Sequence, residues 1–146
     1  MAREGDVRET AMTAAGRALA RRDRSRAELA GRLAAIAPPE VVSEVIGDLE
    51  RMGYLDDDRL AHSIASRRLE AGWGSARISA DLERLGIVAA DAIHAAEAGE
   101  HHAAAALLAS RHGRGRTPAQ RVALLARRGF LPETIEEAMR VEIDWE

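Results

Sequence analysis

With 146 residues the chain is long enough for one domain with a sizeable core, but its 47% hydrophobic fraction includes 31 alanines, and aromatic residues make up only 3%. Because alanine has the highest helix propensity and lets helices pack closely, this composition predicts an all-α protein of short helices and argues against a β-sheet or sandwich. The absence of cysteine excludes disulfides and thiolate sites, while a net charge of −3 and a pI near 6.0 argue against free DNA as the main ligand.

The first third of the chain predicts a terminal arm followed by three helices. Residues 1–10 are polar without an apolar period, which is typical of a mobile arm. An alanine-rich helix then runs to about Arg22. Ser25 and Glu28 have the spacing of a capping box, in which each side chain accepts a backbone hydrogen bond at the start of a second helix. Pro39 is well placed at the first position of a third helix.

A rigid joint follows the third helix. Gly53 is predicted to end that helix at positive φ, since glycine adopts the left-handed conformation without strain. Leu55 is expected to be buried between the first and second repeats, and Asp56 to cap the next helix. Asp57 lies in the positively polarised first turn of that helix. The sequence therefore predicts an inter-repeat hinge formed by Gly53, Tyr54, Leu55 and Asp57.

The order of signals then returns twice, which indicates an internal repeat. Ser25, Ser75 and Thr117 recur as helix caps at intervals of 50 and 42 residues. Gly86 and Gly129, 43 residues apart, each stop a helix and are followed by an apolar residue.

The remaining boundaries complete a prediction of about nine helices. The fourth to ninth helices are expected at about 57–71, 75–86, 93–98, 100–111, 117–129 and from 132 on. No third of the chain has enough large apolar residues to fold alone, so neighbouring units must cover one another. We therefore expect three tandem three-helix repeats, at residues 11–54, 55–99 and 100–146, in an elongated and curved array.

No catalytic or metal-binding pattern stands out. His94, Glu97 and His101 have helical spacing, but Gly99 interrupts that face and no second ligand cluster exists. Acidic residues at a helix start, such as Asp56 to Asp58, are more often complements of the helix dipole than a magnesium site. No nucleophile elbow or phosphate-binding loop occurs. We therefore expect a protein that is not an enzyme and needs no cofactor or metal; with no membrane span or signal peptide, it should be soluble and cytoplasmic.

Charge is segregated along the chain. Residues 17–26 carry five arginines and one acid, and residues 111–128 carry six arginines and no acid. Residues 39–58 hold seven acids and one arginine, and residues 132–146 hold six acids and one arginine. All 21 basic residues are arginine, the side chain best suited to bidentate phosphate or carboxylate contacts.

The arginines recur where the first helix of each repeat turns into the second. We name them the first set (Arg21, Arg22, Arg24, Arg26), the second set (Arg67, Arg68, Arg77) and the third set (Arg111, Arg114, Arg116). If the repeats stack in register, these sets form one basic stripe. The alternative is that they are solvated helix ends with favourable dipole interactions. Trp73, between two glycines, is interpreted as a packed wedge rather than a base-stacking platform.

Three segments carry a family resemblance: ALARRDRSRAEL at 18–29 with Arg32-Leu33, GYLDDDRLA at 53–61, and Arg128-Gly129-Phe130 before the last helix. They resemble the RecX family, regulators of the bacterial RecA recombinase. Departures exist: the family usually has phenylalanine where Leu60 stands, larger apolar residues where this chain uses alanine, and lysines. The resemblance covers nearly the whole chain after the arm.

The resemblance implies a non-enzymatic protein of three tandem three-helix repeats. Such proteins are thought to lie in the groove of the RecA–single-stranded DNA filament and to inhibit ATPase, strand exchange and co-protease activity, with roles in homologous recombination, DNA repair and the SOS response. We accordingly expect a monomer whose partner is the RecA filament, and which meets single-stranded DNA through that filament or weakly alone. The alternatives are a stand-alone helical nucleic-acid-binding module and a helical-repeat scaffold for protein interactions.

Overall fold

A computed structural model describes residues 3–143 of the chain, with side chains described as far as Val141; Trp145 lies outside this range. Over these residues the protein has eight α-helices and no strand, which confirms the predicted all-α fold. The helices are α1 (Glu4–Arg21), α2 (Arg26–Leu33), α3 (Pro39–Arg51), α4 (Asp57–Glu70), α5 (Ser75–Arg84), α6 (Ala90–Ala109), α7 (Pro118–Arg127) and α8 (Pro132–Ile143).

The chain forms two compact units. The first unit comprises the chain up to Leu60 together with Arg84–Val88, and the second comprises Ala61–Glu83 and the chain from Ala89 on. In the first unit α1, α2 and α3 pack around one apolar cluster. Helix α1 contributes only small side chains to the buried part of that cluster, while α2, α3 and the turn after α3 contribute the large ones. The buried members are Ala11, Ala15 and Ala18 of α1, Leu29 and Leu33 of α2, Val41, Val42, Val45, Ile46 and Leu49 of α3, and Leu55 in the turn.

Helix α1 begins at Glu4, so residues 4–10 are helical where an arm was predicted. Val7 packs against the apolar cluster of the first unit. Arg8 pairs with Glu44 of α3 at 3.3 Å and with Asp48 of the same helix. The polar sequence of this turn therefore reflects ion pairing to α3 rather than the absence of structure, which a search for apolar periodicity does not detect.

In the second unit α6, α7 and α8 pack around another apolar cluster. Its buried members are Ala103, Ala104, Leu107, Leu108, Leu124, Leu125 and Phe130. Leu69 of α4 packs against this cluster, as do Ile135 and Met139 of α8. In the first cluster the buried alanines lie on α1, whereas in the second Ala103 and Ala104 share α6 with Leu107 and Leu108. In both, the small side chains let short helices approach closely around a small core.

Helix α6 corrects the predicted number of helices. The sixth and seventh helices expected on either side of Gly99 are one continuous helix of 20 residues, so the count of nine is wrong. Glycine inside a helix costs only about 1 kcal/mol relative to alanine. Here Leu69 of α4 lies against Gly99, 3.3 Å from the position a Cβ would occupy, so this glycine serves a close helix contact and not a break.

The start of one helix contacts the end of another in a similar way in both units. In the first unit the Ser25 hydroxyl, at the start of α2, donates to the carbonyl oxygen of Leu85 at the end of α5 (2.6 Å). In the second unit the Ala76 N–H, at the start of α5, donates to the carbonyl oxygen of Gly129 at the end of α7 (2.9 Å). We name this the start–stop contact. It is consistent with tandem repeats, whose division at residues 54 and 99 stays a prediction.

Candidate functional site

The hinge residues occupy a tight turn between α3 and α4. Gly53 has φ +80°, as predicted. Leu55 is 3% exposed and belongs to the apolar cluster of the first unit. The Asp56 carboxylate accepts the Arg59 N–H (3.1 Å) and so caps α4 as predicted. Tyr54, in contrast, is 63% exposed, which leaves an aromatic side chain on a fixed turn.

Asp57 has a role that the sequence did not reveal. Its carboxylate accepts the backbone N–H of Arg26, at the start of α2, at 2.8 Å. The Arg26 guanidinium pairs in turn with Glu50 near the end of α3. Two acids of the 39–58 block are therefore used to hold α2, and Asp48 of the same block holds α1 through Arg8. Several acids of the 39–58 block are therefore paired with groups inside the first unit.

Replacing Gly53 by valine should lower the free energy of unfolding by more than about 1 kcal/mol, since a β-branched residue is strained at positive φ. Beyond the adjacent residues of the chain no atom lies within 4 Å of the Cβ position, so the cost would come from the backbone conformation. Chemical unfolding would measure it. Gly31→Val is the matched control, because Gly31 lies in α2 with equally open surroundings and ordinary φ. Equal stability of the two variants would contradict the argument.

The first arginine set is engaged largely within the first unit. Arg22 donates to the Glu28 carboxylate at 2.8 Å and to the Asp23 carbonyl oxygen at 3.0 Å. Arg24 donates through Nε to the Ala18 carbonyl oxygen at the end of α1 (3.3 Å). Arg21 is exposed. Three of the four members, counting Arg26, thus have a partner in the fold.

Charge coupling around α2 appears in the pKa values of these groups. Burial alone would raise the pKa of Glu28, but hydrogen bonds from Arg22 and from the Ser25 N–H, with the nearby positive charges, hold it below its ordinary value. The hydrogen bond to Glu28 raises the pKa of Arg22. The pKa of Arg24 is lowered by desolvation and by the neighbouring arginines. The Arg22–Glu28 pair therefore belongs to the capping box of α2.

The second set is also built into the fold. The Asp81 carboxylate, on α5, is 7% exposed and pairs with Arg68 (3.1 Å) and Arg77 (3.2 Å). The Arg77 guanidinium also lies 4.7 Å from the centre of the Trp73 ring. Arg67 remains exposed, with Nε donating to the Ser63 carbonyl oxygen at 3.4 Å. Two of the three members therefore share one carboxylate, which offsets only one of their two positive charges.

Arg128 joins this group although it belongs to no predicted set. Its guanidinium lies 4.6 Å from the centre of the Trp73 ring and donates to the Ala71 carbonyl oxygen at 3.2 Å. Trp73 thus has two guanidinium partners, a cation–π arrangement that favours the predicted packed wedge over a platform for nucleic-acid bases. The only sequence signal for Arg128 was its place before Gly129.

The third set lies in the loop between α6 and α7. Arg114 donates through Nε to the Ala109 carbonyl oxygen (2.9 Å), and Arg116 donates through Nε to the His112 carbonyl oxygen (2.5 Å). Arg111 and Arg114 are exposed and Arg116 is partly exposed. Among the described residues, none of the three pairs with a carboxylate. The three sets predicted to be equivalent therefore differ in how much of their charge is available.

The second unit contains a buried carboxylate that no spacing in the sequence predicts. Glu100 of α6 is 0% exposed and accepts the N–H of Ser75 at 2.8 Å and the N–H of Leu131 at 3.1 Å. The Thr134 hydroxyl donates to the same carboxylate. Glu100 thereby caps the starts of α5 and α8. The predicted capping by the Ser75 hydroxyl is wrong, since that oxygen has no partner among the described residues.

Metal and membrane signals are weak in the part of the chain that the structure describes. No three acidic or histidine side chains there are grouped as metal ligands would be. His94 lies 3.9 Å from Glu97, and His101 lies 3.4 Å from Glu137 of α8. Each histidine therefore has one acidic neighbour. None of the described helices is both long and apolar enough to cross a membrane.

Comparison with known proteins identifies relatives of this chain by sequence. No protein-family model matches the chain. The regulatory protein RecX of Chromohalobacter salexigens is 37% identical over 84% of this chain and 86% of that protein. The regulatory protein RecX of Halorhodospira halophila is 34% identical over 94% of this chain and 91% of that protein.

Solved structures show the same fold. The crystal structure of RecX from Lactobacillus salivarius superposes with a TM-score of 0.82, covers 97% of this chain and 99% of that one, and is 22% identical. A second crystal structure of a regulatory protein RecX gives a TM-score of 0.74 over 92% and 73% of the two chains, at 20% identity. With relatives above 30% identity over most of both sequences, the chain belongs to the RecX family of regulatory proteins.

Proposed function

We propose that this protein binds the filament of RecA on single-stranded DNA and inhibits recombinase ATPase, strand exchange and co-protease activity. The observation that carries the proposal is the relationship to RecX regulatory proteins over nearly the full length of both sequences. The protein is proposed to act as a monomer in the cytoplasm, to lie in the groove of the filament and to bridge neighbouring recombinase subunits.

The surface of the protein supports a partner that is part protein and part nucleic acid. Exposed apolar side chains occur at the hinge, where Met52 is 55% exposed beside Tyr54. Aromatic and methionine side chains are typical of protein interfaces. Exposed arginines without acidic partners occur in the third set, and these suit phosphate. A filament of recombinase on DNA presents both kinds of surface.

The overall charge favours the filament over free DNA. A chain with net charge −3 and pI near 6.0 is repelled by a polyanion at long range. Sequence-independent affinity for free DNA rests mainly on neutralised phosphates, so a few arginines alone would give weak binding at physiological salt. Contacts with the recombinase would supply the remaining affinity.

The test is to measure ATP hydrolysis and strand exchange by the cognate RecA on single-stranded DNA, with and without this protein. Both rates should fall as the protein is added. Binding to labelled oligo(dT) should be measured in parallel with and without RecA, and should be much tighter with it. Equal affinity in the two cases, with unchanged ATPase, would contradict the proposal and favour a stand-alone nucleic-acid-binding module.

A further inference from the structure

The third arginine set differs from the other two in its electrostatic surroundings. Arg22 and Arg26 of the first set pair with Glu28 and Glu50, while Arg68 and Arg77 of the second pair with Asp81. A guanidinium group beside a carboxylate attracts a further anion less, because the negative charge of its partner offsets its own positive charge. The third set lies in a stretch without acids, residues 111–128, and its members pair with no carboxylate in the described part of the chain.

The geometry of the third set leaves the ends of its side chains available. In both Arg114 and Arg116 the hydrogen bond to the protein is made by Nε, at the base of the guanidinium group. Neither Nη group of either residue has a partner among the described residues. These Nε hydrogen bonds fix the orientation of the two guanidinium planes. Each side chain would therefore lose less conformational entropy on binding a ligand.

The loop that carries these arginines is itself fixed to the end of α6. The N–H groups of Gly113 and Arg114 both donate to the Ser110 carbonyl oxygen at 3.0 Å, and the His112 N–H donates to the Ser110 hydroxyl at 3.2 Å. Gly113 is buried so tightly that a Cβ would lie 2.3 Å from the Leu108 carbonyl oxygen. The backbone of the 110–116 loop is thus held against α6.

We propose that the 110–116 loop is the site that contacts the phosphodiester backbone of single-stranded DNA, and that the first and second sets chiefly stabilise the fold. The inference rests on the proposed function, because the DNA is that of the recombinase filament. Two Nη groups of one guanidinium can donate to two oxygens of one phosphate, which suits a backbone that is the same for every sequence.

The composition of the loop favours phosphate over an acidic protein surface. Its residues are Ser-Arg-His-Gly-Arg-Gly-Arg, without an aliphatic side chain. The centre of a protein interface is enriched in apolar and aromatic side chains and depleted of charge, whereas contacts to the DNA backbone are made by exposed cations and backbone groups. Apart from His112 the loop offers no ring for base stacking, so binding should not depend on base sequence.

The experiment compares two triple variants that each lower the net charge by three. The test variant is R111Q/R114Q/R116Q. The matched control is R3Q/R17Q/R32Q, whose three arginines are exposed and lie outside all three sets. Binding of both, and of the unaltered protein, is measured at several salt concentrations on labelled oligo(dT) and on the RecA–oligo(dT) filament. Circular dichroism melting establishes that both variants are folded.

We expect the test variant to bind the filament at least about tenfold more weakly at low salt. Each phosphate contact on a single strand contributes about −0.7 to the slope of log K against log salt, so the slope should become shallower by about 2. The control should keep the slope of the unaltered protein. An unchanged slope in the test variant, or an equal change in the control, would overturn the assignment of the loop.

A lysine variant separates charge from geometry. R111K/R114K/R116K keeps three charges but has neither the Nε donors nor the planar fork. Its salt slope should match that of the unaltered protein, while its affinity should fall several-fold. Equal affinity would overturn the role assigned to the fixed guanidinium groups.

Two further results are distinguishable from these. Weaker filament binding by R111Q/R114Q/R116Q, with an unchanged salt slope, would indicate that the loop contacts protein and would overturn the phosphate assignment. Failure of the unaltered protein to bind or inhibit the filament would instead contradict the proposed function.

Discussion

Replacing Glu100 by alanine should lower the free energy of unfolding by at least about 3 kcal/mol, because a buried charged acceptor is removed from several donors at once. The N–H groups of Ser75 and Leu131 lie at the starts of α5 and α8, and the Thr134 hydroxyl lies in the first turn of α8. Each would lose this acceptor, in buried surroundings at Ser75 and Thr134 and in partly buried ones at Leu131. Urea unfolding followed by circular dichroism measures the change.

Glu97→Ala is the control for this prediction, since Glu97 lies on the same helix, is exposed and makes only a long contact to His94. Its effect should stay within about 0.5 kcal/mol, as for most surface changes. Glu100→Gln keeps one acceptor oxygen and should fall between the two variants. If Glu100→Ala unfolds at the same urea concentration as the unaltered protein, the carboxylate does not secure α5 and α8.

The second large effect is expected for Gly74→Ala. A Cβ on Gly74 would lie 2.4 Å from both the Gly129 carbonyl oxygen and the Phe130 nitrogen. These are backbone atoms and cannot rotate away as a side chain could. The substitution should therefore break the hydrogen bonds that Gly74 and Ala76 donate to Arg128 and Gly129, at a cost of about 3 kcal/mol or more.

Gly16→Ala provides the opposite expectation from the same chemical change. Gly16 lies in α1 with no atom within 4 Å of the Cβ position, so alanine should stabilise the helix by up to about 1 kcal/mol. Thermal unfolding of the two variants should move in opposite directions. A Gly74→Ala protein as stable as the unaltered one would mean that the backbones are not held in contact at this point.

Local signals were the part of the fold that the sequence could predict. The capping boxes at Ser25 and Thr117 and the positive φ of Gly53, Gly86 and Gly129 are all present. These features depend on atoms within a few residues of one another, so spacing alone identifies them.

Long-range partners explain the predictions that were wrong. The start of α5 is capped by Glu100, 25 residues further on, and spacing between neighbours cannot show this. In α6, which continues through Gly99, Leu69 of α4 packs beside that glycine. The helical start at Glu4 goes with ion pairs from Arg8 to α3. In each case tertiary contacts outweighed the local preference that had been used for the prediction.

The arginine sets show the same limit for the candidate site. Because the arginines recur at one point of the repeat, the sequence predicts the same role for all three sets. Asp81 is paired with both Arg68 and Arg77. The spacing of four residues on α5 could indicate the pair with Arg77, but not the pair with Arg68 of α4 or the burial of Asp81. Arg21 and Arg67 are also exposed without a carboxylate partner among the described residues, but the third set is the one in which no member pairs with a carboxylate there.

The start–stop contact also bears on whether copies of this protein can polymerise. Its two stops, after α5 and α7, each carry a glycine at positive φ, Gly86 (+70°) and Gly129 (+81°). The start of α7 is exposed at Thr117, where a second molecule would have to dock a stop for a head-to-tail chain to grow. In a tandem repeat, the stop not used inside the molecule is the end of α2, and α2 continues into Ala34 at φ −58° instead of a glycine. Because these two ends do not match, we expect open-ended head-to-tail growth, the hazard of any repeat with complementary ends, to be disfavoured.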